Sequence, residues 1–329
     1  MSTIANAKSA IAYAKSAIAD AKSTMASTDA WLQPLFDPIS LGALNAKAEM
    51  LERLDNKYVV EADVLRGVAS ELARRFDIIE IDGRRAFAYE TCYFDDADRR
   101  SYFEHHQGRL RRAKVRVRKY NPELCFLEVK LKDKRGITVK KRLRYDPAKF
   151  GTLDQTALAF VHSAYYEQYG REFPCEELSR ILDVYYFRTT LVAKEGGERM
   201  TIDSELRFCS AGSSHAVDEV FFIIETKSAN GNGIADRILR ALHQHPIEHC
   251  SKYCTGIAVL NQGTKHNNFL PGLRKLRSVP APDLSHLRSM PAPSEELTAW
   301  SPDLQGRHGR WAPATMGQRV VRLQRGQAS

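Results

Sequence analysis

The sequence predicts an α+β protein: eight antiparallel strands closed into a barrel-like tunnel, with a polar, cationic interior and helices packed outside. Three observations carry this expectation. Eight segments alternate polar and apolar residues with a period of two, the signature of a strand with one face buried. Turn residues join the middle segments tightly, at "NPE" (121–123) and "DKRG" (133–136). Positive charge gathers on the polar side of nearly every strand.

Three regions follow one another along the chain. Residues 1–45 form an Ala-rich extension in which Ile4, Ile11 and Ile18 repeat every seven residues, with Ala7, Ala14 and Ala21 three further on. Such a seam suits self-association of helices; a lone, frayed Ala-rich helix fits equally well. A transit peptide is disfavoured by the lack of Arg in this stretch. Residues 46–277 are the folded domain. From 278 to 329, six of the chain's 13 prolines fall within the last 52 residues and periodicity fades, so a mostly disordered tail is expected.

Within the domain the expected strands are "ERLDNKYVV", "AFAYETCYFDD", "RRAKVRVRKY", "LCFLEVKLKDK", "ITVKKRLRY", "VYYFRTTLVA", "RMTIDSELRF" and "VFFIIETKS". Helices are expected at about 61–76, 154–169 and 233–243, with a short one near 247–253. Sorting each strand by parity puts Arg53, Asp55 and Lys57 on one face, and Arg112, Lys114, Arg116 and Arg118 on another. The same sorting collects Glu128, Lys130 and Lys132; Lys140, Arg142 and Arg144; Arg188; Arg199, Asp203, Glu205 and Arg207; and Glu225 with Lys227. These faces hold fifteen basic and five acidic residues, a surplus of ten; the rest of the chain holds 34 basic and 35 acidic.

A sheet with one solvated side normally mixes signs, because like charges directly opposite one another destabilise the pairing. So large a surplus on adjacent strands calls for an anion. If the strands close with these faces inward, the lumen suits a linear polyanion, and phosphate is what Arg forks and Lys ammoniums bind best. Glu128, Asp203, Glu205 and Glu225 would share that lumen. Carboxylates beside phosphates are tolerated when a hard cation, Mn²⁺ or Mg²⁺, bridges the two.

Other classes fit less well. The net charge of +9 alone would suggest nucleic acid, but such surfaces interleave aromatics with bases, and in "KVRVRKY" the intervening residues are valines. No run approaches a membrane span, and six scattered cysteines fit a reducing cytoplasm. "HQHPIEHCSKYC" lacks a standard zinc spacing, and "SANGNGIADRIL" lacks the ending of a phosphate loop.

With "DNKYVV", "YETCYFDD", "KVRVRKY", "FLEVK", "YYFRTT", "MTIDSEL", "IIETK" and the late "SKY" in that order over about residues 50–260, the chain resembles the VTC-type polyphosphate polymerase domain of the triphosphate tunnel metalloenzyme (CYTH-like) superfamily. The resemblance implies a tunnel that elongates polyphosphate from a nucleoside triphosphate such as ATP. It assigns triphosphate binding to Lys57, Arg116, Arg118, Lys130, Arg188, Lys227 and Lys252, with Ser251 beside the last. Lys114, Lys140, Arg142 and Arg199 join them as substrate-binding positions, and Glu225 is implied as the metal ligand, with Glu128, Asp203 and Glu205 as further metal or water-positioning residues. The superfamily's opening Glu-x-Glu-x-Lys reads Arg53-Leu54-Asp55-Asn56-Lys57 here, which weakens a hydrolase reading and leaves the role of Asp55 open. A tunnel-fold triphosphatase and a non-catalytic polyphosphate-binding module are the rival readings.

Overall fold

Alternating residues build the sheet, and one break in that alternation helps decide what its polar face presents. The computed structural model describes residues 31–47, 54–133, 138–210, 213–261 and 265–280. The heptads, Arg53 and the Pro-rich tail from residue 281 onward lie outside these residues, while the tail's first three residues, Ser278–Pro280, form a strand. In chain order the elements are β1 (Pro38–Ile39), α1 (Leu41–Lys47), β2 (Leu54–Glu61), α2 (Ala62–Arg75) and β3 (Phe76–Ile79). Then come β4 (Ala86–Asp95), α3 (Arg100–His106), β5 (Arg112–Lys119), β6 (Cys125–Lys132), β7 (Thr138–Tyr145), α4 (Gln155–Tyr169) and β8 (Ser179–Ala193). The chain continues through β9 (Arg199–Ser210), β10 (Ser213–Val217), β11 (Phe221–Ser228), α5 (Ile234–Ala241), α6 (Lys252–Val259), α7 (Leu270–Leu276) and β12 (Ser278–Pro280).

All eight expected strands are present, and they lie side by side in the order β7–β6–β5–β4–β8–β9–β11–β2, each antiparallel to its neighbours. β10 and β12 extend the sheet from the second half of β9, and β3 and β1 from the end of β8. The expected closure into a barrel is corrected: among the described residues no ladder joins β2 to β7. Part of that free edge is engaged by the segment before α6, where the Ile247 amide donates to the Lys57 carbonyl at 2.7 Å. The short helix expected near 247–253 is displaced to Lys252–Val259, and the residues before it form this edge contact.

The apolar parity faces outward, under helices. On α2, Leu65, Val68 and Leu72 repeat at helical spacing and are buried against Val60, Met200, Ile202, Phe222 and Ile224, together with Ala235 and Leu239 of α5. On α4, Ala157, Val161 and Ala164 cover Val115, Val117, Leu127 and Val129. Each fully buried Leu, Ile or Val contributes roughly 1.5–3 kcal/mol before entropy is counted. The α4 boundaries follow from its caps: the Asp154 carboxylate accepts from the Ala157 amide at 2.8 Å, and Gly170 ends the helix at φ 66°. α5 is fixed by two acids, with Glu198 accepting from the Ile234 and Ala235 amides and Asp236 from Tyr58, Asn56 and Thr226.

The inner face is polar through its middle and apolar where α6 lies across it. Tyr253, Cys254 and Ile257 of α6 join Leu182 and Phe208 in one buried cluster. A side chain on Gly256 would meet Leu182 Cδ2 and Phe208 Cδ1 at 2.6 Å, so only glycine permits this approach. The parity of β9 breaks at a β-bulge: Tyr185 faces Arg207 while Phe187 faces Ser204, leaving two residues opposite Tyr186. Glu205 takes the left-handed conformation there, at φ 52°. Beyond the bulge Leu206 and Phe208 turn inward, and Arg207 lies across from Tyr185 and Glu90 on the outer face. The expected inward row of Arg199, Asp203, Glu205 and Arg207 therefore loses Arg207, and Glu205 sits at the bulge itself.

Candidate functional site

With Arg53 undescribed, Arg207 turned outward and Glu205 at the bulge itself, the rest of the expected set puts thirteen basic and four acidic residues on the inner face. Their registers form rows. Arg116, Glu128 and Arg142 stand directly opposite one another on β5, β6 and β7; Lys114, Lys130 and Lys140 form the next row. On the other wall Lys57, Glu225 and Thr201 form one row, and Asp203 pairs with Arg188 in another. The walls curl toward each other: Lys130 on β6 feels the charges of Lys57 on β2 and Glu225 on β11.

Three acids organise seven of the cations. Glu128 is 1% exposed and accepts from Arg116 Nε (2.6 Å), Arg142 Nε (2.9 Å) and the Tyr120 hydroxyl (3.4 Å), with Lys140 Nζ at 3.7 Å. Asp203, wholly buried, takes both Arg188 Nε (2.6 Å) and Nη2 (2.8 Å), and a hydrogen bond from Lys252 at the start of α6. Glu225 holds Lys227 Nζ at 2.6 Å and Lys57 Nζ at 3.5 Å. Burial opposes the charge of all three carboxylates. It is overridden by Arg116, then Lys140 and Arg142, at Glu128; by Arg188 and Lys252 at Asp203; and by Lys227 and Lys57 at Glu225. All three are held below the usual carboxylate range, Glu128 and Glu225 well below it.

Lys130 differs from its neighbours. It remains exposed to solvent within the curl and makes no hydrogen bond or ion pair among the described residues. Enclosure by the surrounding walls, which partly desolvates the ammonium although the residue still meets water, and then the Lys57 charge push its pKa down to about 8. Lys114 is turned toward α6, with Nζ 2.7 Å from His105 Nδ1 and donating to Ser251 Oγ at 2.8 Å. Burial and the Lys114 charge push His105 far down, so it is neutral and accepts from the lysine. Arg199 is buried opposite Lys227.

Sequence reasoning missed an aromatic layer beneath these cations. Arg118 lies 5.4 Å from the Tyr89 ring centre and Arg188 5.2 Å from it; Arg188 and Lys252 lie 5.3 and 4.5 Å from Tyr186, and Arg142 5.3 Å from Phe126. Tyr89 and Tyr186 are stacked at 5.2 Å and 20°. Tyr89, Tyr93 and Tyr186 share the inward parity of their strands, so the signal was present in "YETCY" and "VYYFR" but was read for charge alone.

The chemistry of the donor set bears on the divalent cation that the sequence implies. Mg²⁺ and Mn²⁺ are held by one or two carboxylates with phosphate oxygens completing the shell. Among the described residues no three His, Cys, Asp or Glu side chains cluster as a preformed metal cage. Glu128 and Asp203 are filled by guanidiniums. Glu225, partly exposed at 17%, and the exposed Asp55, one register step away across Lys227, fit a cation shared with phosphate.

The family model of the VTC domain matches residues 52–261. The chain belongs to the VTC domain family. Every strand of the eight-strand array and the first turns of α6 lie within the matched span, so this VTC domain contains both walls and the Ser251–Lys252 pair. No curated protein matches it. Similar solved structures include "the hypothetical protein NE1496" (13% identity, 53% of this chain and 75% of that chain, TM-score 0.22). Another is "the inorganic triphosphatase NE1496" (13% identity, 56% and 77%, TM-score 0.23). Likenesses this remote say nothing about the chemistry of this VTC domain. No helix among its described residues is long and apolar enough to cross a membrane.

Proposed function

We propose that the chain is a metal-dependent polyphosphate polymerase, transferring the γ-phosphoryl group of a nucleoside triphosphate to the end of a polyphosphate chain. Family membership supports phosphate chemistry in the curl. One observation favours a phosphate acceptor over water: Glu128, Asp203 and Glu225 are each ion-paired and held below the usual carboxylate range. Such carboxylates are poor bases. Water needs a base to become a good nucleophile, whereas a terminal phosphate is already anionic near neutral pH.

Arg116, Arg118, Lys130, Arg188, Lys227 and Lys252 bind the triphosphate and neutralise charge on its oxygens as it shifts in the transition state. Lys57, Lys140, Arg142 and Arg199 extend the cationic wall, while Lys114 and Ser251 fix the start of α6 so that Lys252 reaches the site. An oxygen of the acceptor's terminal phosphate forms a bond to the γ-phosphorus. The bond from that phosphorus to the β–γ bridging oxygen breaks, and nucleoside diphosphate leaves with the electron pair. A divalent cation held by Glu225 and Asp55 supplies further charge neutralisation when bound. The two walls align donor and acceptor, which such a transfer needs more than a covalent nucleophile.

Purified protein with ATP and Mn²⁺ is expected to yield ADP and acid-insoluble phosphate in equal phosphoryl amounts. Release of orthophosphate with no polymer would establish a triphosphatase instead.

A further inference from the structure

Tyr89 is 1% exposed, on the central strand β4, between β5 and β8. The guanidinium of Arg118 comes to it from β5 and that of Arg188 from β8, at 5.4 and 5.2 Å from the ring centre. The ring is itself braced by Tyr186, stacked at 5.2 Å, and by Tyr120, edge-on at 5.1 Å. Two cations of separate strands therefore meet at one aromatic ring. A carboxylate in that place would orient them too, but it would cancel charge that an anion needs. An aromatic face attracts a cation through its quadrupole and leaves the net charge intact. Asp203 takes Nε and Nη2 of Arg188, and Arg118 Nε donates to Thr91 Oγ1 at 3.3 Å, so each guanidinium is also held along one edge.

We propose that Tyr89 is a positioning residue, whose ring sets Arg118 and Arg188 at one level of the curl so that they act together on a single phosphate group. The proposal rests on reading the curl as a phosphate site. It assigns Tyr89 no contact with the reacting atoms; it acts through the two arginines.

The test is calorimetric binding of tripolyphosphate to the full chain, below the melting temperature of every variant. Tyr89→Phe keeps the ring and is expected to bind within twofold of wild type. Tyr89→Leu and Tyr89→Met remove the π face while keeping an apolar side chain, and are expected to bind about tenfold more weakly. In an Arg118→Gln background the same Leu change is expected to cost only about threefold, the part of its effect that passes through Arg188. The proposal is overturned if the folded Leu and Met variants bind like wild type. It also falls if Phe is as damaging as Leu, if the loss is unchanged in the Arg118→Gln background, or if neither Leu nor Met folds, which would make Tyr89 a core residue only. Wild-type protein that binds no tripolyphosphate would remove the functional reading and this inference together. Wild-type binding with unaltered variants removes this inference alone.

Discussion

Lys130 gives the sharpest handle on the site, because its proton is the one most easily removed near neutral pH. It stands between Lys114 and Lys140 on the neighbouring strands, and its pKa is pushed down to about 8 by burial and by Lys57. In the free protein it is therefore roughly nine-tenths protonated at pH 7 and about one-tenth at pH 9. Phosphate oxygens favour the ammonium form, so binding requires that form and weakens as pH rises through 8. Over those two pH units the wild-type affinity is expected to fall about tenfold relative to Lys130→Arg, whose guanidinium stays charged throughout. Calorimetry with a non-hydrolysable nucleoside triphosphate and Mg²⁺ at pH 7, 8 and 9 reads this directly. Taking the wild-type to variant ratio at each pH cancels titration of the ligand and of other groups. A ratio constant within twofold from pH 7 to 9 would refute the idea that Lys130 meets phosphate with a proton it otherwise half loses.

Glu128→Gln leaves Arg116 and Arg142 facing each other without their buried counter-charge, so it is expected to cost roughly 3–5 kcal/mol in urea unfolding, with tripolyphosphate restoring more stability than it adds to wild type. Glu225→Gln is expected to abolish metal-dependent turnover and to lower the melting temperature, because Lys227 and Lys57 lose the carboxylate that pairs them, while metal-free tripolyphosphate binding persists; an active variant would sink its metal role. Gly256→Ala forces a methyl against Leu182 and Phe208, and a loss of about 1–3 kcal/mol with weaker triphosphate binding through displaced Lys252 is expected. Because the folded-state pKa values of Glu128, Asp203 and Glu225 are depressed, their contribution is complete above about pH 5 and is lost as pH falls toward and through the lower folded values. The melting temperature should therefore hold from pH 7 to 5 and drop steeply below 4.

The strands were legible because a two-residue alternation is a local property, visible in "KVRVRK" or "FLEVKLK" without knowledge of neighbours. The inward direction of the charged face followed from sign imbalance, since one polarity cannot crowd an open surface without a partner. What escaped were features set by pairing. The bulge at Glu205 depends on how β9 meets β8, and a non-glycine residue in the left-handed region gives no warning in "IDSELRF". The expectation of closure failed because hydrogen bonding between β2 and β7 is a matter of shear that alternation does not encode. β3, β10 and β12 were too short to register, and α6 was set five to six residues too early because the histidine-rich segment before it follows the edge of β2 instead of coiling. The tyrosines beneath the arginines were in plain view, counted as apolar when their use is to hold cations in place.

The missing ladder between β2 and β7 changes how cargo can enter. A ring of strands bonded all round admits a thread only from a free end, and longer threads find that end ever more slowly. Here the wall has a lateral parting, overlaid near Lys57 by an arm that is itself tied through the Ile247 amide. Swinging such an arm aside breaks the Ile247–Lys57 hydrogen bond, lifts Ile247 from the core it packs on, and leaves every ladder of the sheet intact. On the proposed reading of the curl as a phosphate site, a filament of any length is then laid in sideways at its middle, the way a rope is dropped into a cleat, so loading need not slow as the filament grows.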